Sequence, residues 1–259
     1  MPSNELLAIA ETAARAAGAG LVHQFGDDLR VSTKSTPTDP VSEADRAAEA
    51  AIRAVLAESR PGDIVLGEEG GEDAAGVRSG ALRWVVDPLD GTVNYLFGIP
   101  HWSVSVAVED AEGALAGVVL DPLRDECFSA VRGGGAFVNG ARVVASQQTE
   151  LSTSLVATGF AYDAAWRARQ GEVAPRLLGQ VRDLRRMGSA ALDLAWSACG
   201  RYDAYFERAV KPWDRAAGVL LCLEAGLTVV ELAAGNDLPA GVLVAPAGIV
   251  DELTGLVSG

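Results

Sequence analysis

Asp87 and Asp90 stand three residues apart where an apolar run ends, in Arg83-Trp84-Val85-Val86-Asp87-Pro88-Leu89-Asp90-Gly91-Thr92-Val93-Asn94-Tyr95. Two carboxylates side by side at a strand end suit a divalent cation, and the Leu89 carbonyl between them adds a neutral oxygen ligand. Gly91 has no side chain to block an anion. The N–H groups of Gly91 and Thr92 would face a phosphate if a short helix begins there, and the Thr92 hydroxyl can hold a water. The same residues also fit a plain Asp-Pro-X-Asp-Gly surface turn, so partners elsewhere in the chain must decide.

Three other chemistries fail on spacing. A calcium helix-loop-helix loop wants acidic or amide side chains at its third and fifth positions, where Leu89 and Gly91 stand. A covalent phospho-aspartate is disfavoured because the pair is Asp-X-X-Asp, and no Walker loop is present. The remaining acidic residues at element ends are Glu68, Glu69, Glu207 and Asp214, with Asp39 and Asp45 upstream.

The formal net charge is −14, and clustered Lys and Arg are lacking, which argues against nucleic acid as a partner. An acidic protein repels a phosphate ester unless bound cations reverse the local sign. With only His23 and His101, a histidine-built zinc site is improbable, and carboxylate oxygens point to Mg2+, with Mn2+ as a substitute. Cys127, Cys199 and Cys222 are odd in number and sit among apolar neighbours, so they read as small core residues. No apolar run approaches the ~20 residues that span a bilayer, and the start lacks a signal-peptide pattern. The expectation is a soluble, cytoplasmic protein with no membrane partner.

The positioning elements follow from periodicity. In 259 residues, 49% apolar, there is material for one large domain or two closely packed halves. Helical spacing covers about Ser3 to Phe25, and a second helix begins near Ser42, where Ser42-Glu43-Ala44-Asp45 reads as a capping box. Period-two strands are expected at Ile64 to Leu66, Arg83 to Val86, Trp102 to Val108, Leu115 to Leu120 and Cys127 to Val131, with an Asn139-Gly140 hairpin before Arg142 to Val144. These make an antiparallel meander backed by two helices, with Gly70 to Gly80 as a mobile loop. Beyond Ser146 strands and helices alternate. Strands are expected at Leu155 to Thr158, Leu184 to Arg186, Asp203 to Phe206, Thr228 to Leu232 and Val242 to Ala245. The helices between them cover Ala164 to Val181, from Ser189, Trp213 to Ala225, and the terminus. The fold class is therefore α/β. An α+β N-terminal half (1–145) carries the metal-site motifs, and an α/β C-terminal half (146–259) supplies Asp214 and substrate contacts; the two are also describable as a single domain.

Taken together, several ordered segments resemble the inositol monophosphatase family. They are Asp39-Pro40-Val41-Ser42-Glu43-Ala44-Asp45, Gly67-Glu68-Glu69, Asp87 to Tyr95, Arg132 to Gly140, Lys211-Pro212-Trp213-Asp214-Arg215-Ala216-Ala217-Gly218 and Glu224-Ala225-Gly226. The resemblance implies a layered αβαβα fold, usually a homodimer, and a Mg-dependent, lithium-sensitive phosphatase that uses metal-activated water without a covalent intermediate. By the same resemblance Glu68, Asp87, Asp90, Asp214 and the Leu89 carbonyl are metal ligands. Glu68 and Thr92 position the attacking water, and Asp45 accepts from the Thr92 hydroxyl. Substrate contacts fall on Leu89, Asp90, Gly91, Thr92, Gly188, Ser189, Ala190, Glu207 and Asp214.

Some of these residues carry a second reading. Asp45 is equally a helix cap, Ser189 an ordinary N-cap, Glu207 a solvated strand end, and Asp214 a carboxylate favourable to a helix dipole. Lys34 would steer phosphate. Trp213 reads as core more than as a substrate platform, and His101 and Trp102 as structural. Val93, Tyr95 and Leu227 depart from the family's common threonine, phenylalanine and second glycine without removing a ligand. Thr158 to Asp163 and Asp183 to Ala191 look like bacterial inositol-phosphatase members, which makes myo-inositol 1-phosphate the expected substrate. Histidinol phosphate or fructose 1,6-bisphosphate under the same chemistry, and a non-catalytic regulatory module on this fold, are the alternatives.

Overall fold

A computed structural model describes residues 3–26, 31–33, 40–73, 80–235 and 237–258, with only the backbone described for 31–33 and 40–42. Lys34 and Asp39 lie outside the described residues.

Helices α1 (Ser3–Gln24) and α2 (Glu43–Ser59) each bury one stripe. In α1 it is Leu6, Ala10, Ala13, Ala14, Ala17 and Leu21; in α2 it is Ala44, Ala48, Ile52 and Leu56. Strands β1 (Val31–Thr33) and β2 (Pro40–Ser42) form a small antiparallel pair between them. Next come β3 (Ile64–Gly67), β4 (Gly71–Asp73), β5 (Arg83–Asp90), α3 (Thr92–Leu96), β6 (Ser103–Asp110), β7 (Gly113–Asp121), β8 (Glu126–Val131), β9 (Gly135–Val138) and β10 (Ala141–Val143). They build an eight-stranded sheet in the order β10-β9-β8-β7-β6-β5-β3-β4. The expected hairpin is present: Asn139 and Gly140 have φ of 49° and 77°, the left-handed pair that matches strand twist.

The meander is antiparallel from β5 onward, but β3 runs parallel to β5, Ile64 opposite Arg83 and Gly67 opposite Val86. The reason is β4. It reverses the chain along the outer edge of β3, so the next strand enters in β3's own direction. The segment expected to be a mobile loop thus begins as strand, and 74–79 fall outside the described residues.

The C-terminal half contains β11 (Leu155–Thr158), α4 (Ala164–Gly171), α5 (Ala174–Leu178), β12 (Asp183–Arg185), α6 (Ala190–Ala198), β13 (Ala204–Arg208), α7 (Pro212–Ala225), β14 (Thr228–Leu232), β15 (Gly241–Ala245) and α8 (Val250–Ser258). Its sheet has the order β12-β11-β13-β15-β14, parallel across the first three strands and antiparallel in the last two pairings. The single helix expected over Ala164 to Val181 is two helices. Pro175 lacks an N–H and its ring opposes the carbonyl four residues back, at Gly171, where α4 stops.

Helices and sheets stack as αβαβα. Valines 104, 106 and 108 of β6 join Trp84, Val86 and the α1–α2 stripes in one apolar cluster. The opposite face, with Ala107, Val119 and Phe128, packs against α6 and α7, which also meet Tyr205, Val242 and Val244 of the second sheet. Beyond that sheet, α5 and α8 bury Leu177, Leu253 and Val257 against Val156, Phe206 and Leu243. All three cysteines are free; Cys127 and Cys222 are buried in these clusters and Cys199 packs against one.

Candidate active site

Strand β5 continues through Asp90, four residues past the expected end at Val86. On a regular strand, residues three apart point to opposite faces, which would separate Asp87 from Asp90. The pairing with β6 prevents this. Asp87 faces Ser105 and Asp90 faces Ser103, so one extra residue is accommodated between them as a bulge. Pro88, which has no N–H to give the ladder, fits there. Leu89 remains in the α1–α2 cluster while both carboxylates turn towards α6 and α7.

Gly91 then takes φ 96°, and α3 starts at Thr92. The buried Thr92 hydroxyl lies 3.1 Å from the Leu89 carbonyl and 3.3 Å from Asp45 Oδ1. It has one proton to donate to one of these acceptors, and its lone pairs remain for a water. Asp45 is fully buried on α2 and meets Thr92 as expected; the Ser42 side chain that would complete a capping box is outside the described residues.

A cavity of about 450 Å³ is lined by Glu68, Asp87, Leu89, Asp90, Gly91, Thr92, Gly188, Ala190, Glu207 and Asp214. Every expected ligand and most expected substrate contacts therefore meet on one wall or another. Ser189 does not. It is completely buried, makes no side-chain cap to its own helix, and donates its hydroxyl to Asp90 Oδ2. The helix N-terminus is capped instead by Asp90, which accepts Ala190 N–H at 3.1 Å and Ala191 N–H at 2.8 Å. The expected Ala190 N–H contact to substrate is thus already taken by a carboxylate. Trp213, expected in the core, is half-buried and lines the cavity, because Pro212 starts α7 at the cavity edge.

Burial, then the charges of Glu68, Asp90 and Asp214, hold the Asp87 carboxyl well above the ordinary carboxylate range. Asp214 is pushed the same way by burial and by Glu68 and Asp90, although its Oδ2 accepts Lys211 N–H at 2.6 Å. Burial raises Asp90 as well, against the opposing pull of Ser189, Ala191, Ala190 and Ser103. Among the described residues no three such side chains already stand in ion-holding geometry. Three of the carboxylates, Asp87, Asp90 and Asp214, have turned oxygens onto backbone N–H groups. A group of like charges that burial and mutual repulsion drive towards protonation is chemically fitted to a divalent cation.

A larger hollow of about 630 Å³ lies behind α7 and does not compete. Two of its charged residues are committed to the protein's own groups: Glu224 accepts Gly133 and Gly135 N–H at 2.6 and 2.7 Å, and Arg132 pairs with Asp110 at 2.9 Å.

The inositol monophosphatase family model matches residues 3–257. The chain belongs to the inositol monophosphatase family. An inositol-1-monophosphatase of Rhizobium meliloti is 44% identical over 250 residues, covering 94% of this chain and 92% of its own. A Pasteurella multocida relative named Nus factor SuhB is 42% identical, covering 94% and 92%. The crystal structure of the extragenic suppressor protein suhB from Bartonella henselae superposes with a TM-score of 0.88 at 36% identity, covering 98% of each chain. Membership of the inositol monophosphatase family makes this chain a phosphatase, and the family fold is the layered α/β arrangement described above. Among the described residues no helix is long and apolar enough to cross a membrane.

Several cavity residues carried too little signal in the sequence. Phe160, Tyr162, Trp166, Arg186 and Lys211 also line the cavity, and buried Gln170 braces that wall by accepting Ala161 N–H at 2.7 Å. Ser103 was readable as part of Ser103-Val104-Ser105-Val106, where alternation places serines opposite the valines, but nothing local says that it reaches Asp90 at 3.4 Å. His101 and Trp102 are structural as expected: both are buried, and His101 packs edge-on against Trp196.

Glu207 is more than a solvated strand end. Tyr205 donates to it at 2.8 Å, and burial pushes its carboxyl up to about 7. Gly159 makes the space, since a Cβ there would run into the Glu207 carboxylate. The usual value is 4.5 and the folded one about 7, so this group's stability contribution is intact below about 4.5 and lost as pH rises through about 7, at most about 3 kcal/mol. Thermal melts in chelator should show Glu207→Gln gaining on the parent as pH rises from 4.5 to 8; a difference independent of pH would refute the burial of this charge.

Proposed function

We propose that this chain hydrolyses a polyol phosphate monoester, myo-inositol 1-phosphate before others, to the free polyol and inorganic phosphate, with Mg2+ or Mn2+ as cofactor. The observation that carries this reading is the meeting of Glu68, Asp87, Asp90, Thr92, Glu207 and Asp214 in one cavity. The names of relatives matching over nine-tenths of the chain support the substrate.

Glu68, Asp87, Asp90, Asp214 and the Leu89 carbonyl would hold the cations. Bound there, Mg2+ supplies Lewis acidity and the countercharge that an acidic site needs to accept a phosphate. Glu68 and Thr92 orient the attacking water, while Asp45 holds the Thr92 hydroxyl so that its lone pairs face that water. Gly91 and Thr92 N–H groups point at the phosphate, and attack in line with the leaving oxygen needs no covalent intermediate. Glu207, with Gly188 on the same cavity wall, receives the polyol hydroxyls, while Ala190 lines the cavity with its N–H held by Asp90. Ser189 and Ser103 act behind the site by fixing Asp90. We extend the reading to a cytoplasmic, lithium-sensitive homodimer with no nucleic-acid partner, for which exposed Phe97 and Ile99 offer apolar surface.

Phosphate release from myo-inositol 1-phosphate, histidinol phosphate and fructose 1,6-bisphosphate tests the substrate. The inositol ester should give the highest kcat/KM, with activity lost in chelator and restored by Mg2+. Preference for histidinol phosphate overturns the substrate, and full activity in chelator overturns the metal. A second reading, a non-catalytic regulatory module, is favoured by the name of the Pasteurella multocida relative; absence of turnover on all three esters with Mg2+ present would select it.

A further inference from the structure

Glu49 lies on the face of α2 turned to the first sheet and is only 3% exposed. Its carboxylate does not stop at the ordinary helical pair with Arg53, whose Nε lies 2.7 Å from Oε1. Oε2 also accepts Glu69 N–H at 2.7 Å, and Oε1 accepts Gly70 N–H at 2.9 Å. Arg53 in turn donates from Nη2 to the Gly71 carbonyl at 2.7 Å. One buried ion pair therefore holds three successive residues of the turn that follows Glu68.

On its other side Glu68 is tied to β5, its N–H donating to the Val86 carbonyl at 3.3 Å. The glycines of Gly67-Glu68-Glu69-Gly70 have a spatial explanation in the same contact. A Cβ at Gly67 would stand 2.6 Å from Glu49 Oε2, and one at Gly70 would stand 2.6 Å from Oε1. Neither has a positive φ, so what they supply is room for the carboxylate and not a left-handed turn.

We propose that Glu49, braced by Arg53, is a positioning residue for Glu68. It fixes the backbone on which Glu68 reaches the cavity, and so sets cation affinity from a point that touches neither cation nor substrate. This rests on the assignment of Glu68 as a ligand. Like charges gathered at the cavity push one another apart, and Glu68, alone among the four carboxylates, sits on a turn at the sheet's outer edge. A carboxylate accepting two adjacent N–H groups makes charge-assisted bonds that stop such a turn from swinging out. Arg53 offsets the burial of the charge.

The test uses the full chain and Mg2+ or Mn2+ alone as probe. Glu49→Gln keeps the shape and removes the charge. Calorimetric titration should show its cation Kd raised about 10–100-fold, the range for partners that orient metal ligands. Amide hydrogen exchange without any metal should speed up at Glu69 and Gly70. Gly70→Ala, which drives a methyl into the carboxylate, should reproduce both effects. Leu56→Ala, buried on the same helix, is the control for plain destabilisation and should leave cation Kd within about twofold. Unchanged Kd in Glu49→Gln, or an equal rise in Leu56→Ala, overturns the proposal. If Glu68→Gln leaves cation Kd unaltered, the ligand assignment has failed instead, and the exchange rates still report whether Glu49 holds the turn.

Discussion

Asp87→Asn should lower kcat/KM by at least about 100-fold and at the same time raise the melting temperature of the chelated protein. Asp87 is 1% exposed and lies within electrostatic reach of Glu68, Asp90 and Asp214. Asparagine keeps the volume, and its amide oxygen still accepts the Leu89 N–H that Asp87 Oδ1 holds at 3.0 Å. What disappears is a charge that burial and the neighbouring carboxylates disfavour. A carboxyl whose folded value lies above its unfolded one costs stability progressively as pH climbs past the ordinary carboxylate range, so the variant's advantage grows with pH. Each kcal/mol recovered is worth about 2–4 °C in a chain of this size. Loss of activity exceeds the 10–100-fold typical of groups that only orient a ligand. Phosphate release and melts in chelator between pH 5 and 8 decide the matter. A variant that turns over normally, or that melts lower in chelator, refutes the view of Asp87 as a strained cation ligand.

Gly91→Ala carries the second large effect. Its φ of 96° is strained for any L side chain, and the added Cβ would lie 3.2 Å from the Gly188 and His101 carbonyls and from Trp102 Cβ. Strain and crowding together cost about 2–4 kcal/mol, a fall of roughly 5–10 °C. Gly98 separates the two causes: its φ is 68°, but nothing lies within 4 Å of a Cβ there, so Gly98→Ala pays the backbone term alone. Gly91→Ala should also slow turnover, since Thr92 and its contact with Asp45 move with it. If the two variants melt together, the crowding at Gly91 is refuted.

The layered fold was legible because its elements are strongly periodic. Alanine and leucine spacing marks α1 and α2, and Val104-Ser105-Val106-Ala107-Val108 declares a strand with one apolar face. Misreadings fell where a distant element set the outcome. The direction of β3 depended on a three-residue edge strand too short to show a pattern. Pro175 was a visible break inside an otherwise helical stretch, and its effect is local.

By itself the sequence supplied the atoms proposed to do the chemistry: carboxylate and hydroxyl oxygens at Glu68, Asp87, Asp90, Thr92 and Asp214. It also determined the glycine at position 91, because the residue type alone permits that φ. Only the tertiary structure decided where those atoms point. The alternation of side chains along β5 would have set Asp87 and Asp90 on opposite faces, and the bulge against Ser103 and Ser105 turns both to the same cavity. Ser189, readable as a simple cap, became a brace for Asp90 ninety-nine residues away. Such contacts are set by packing between layers, and a linear pattern records a residue's own element but not the one that folds against it.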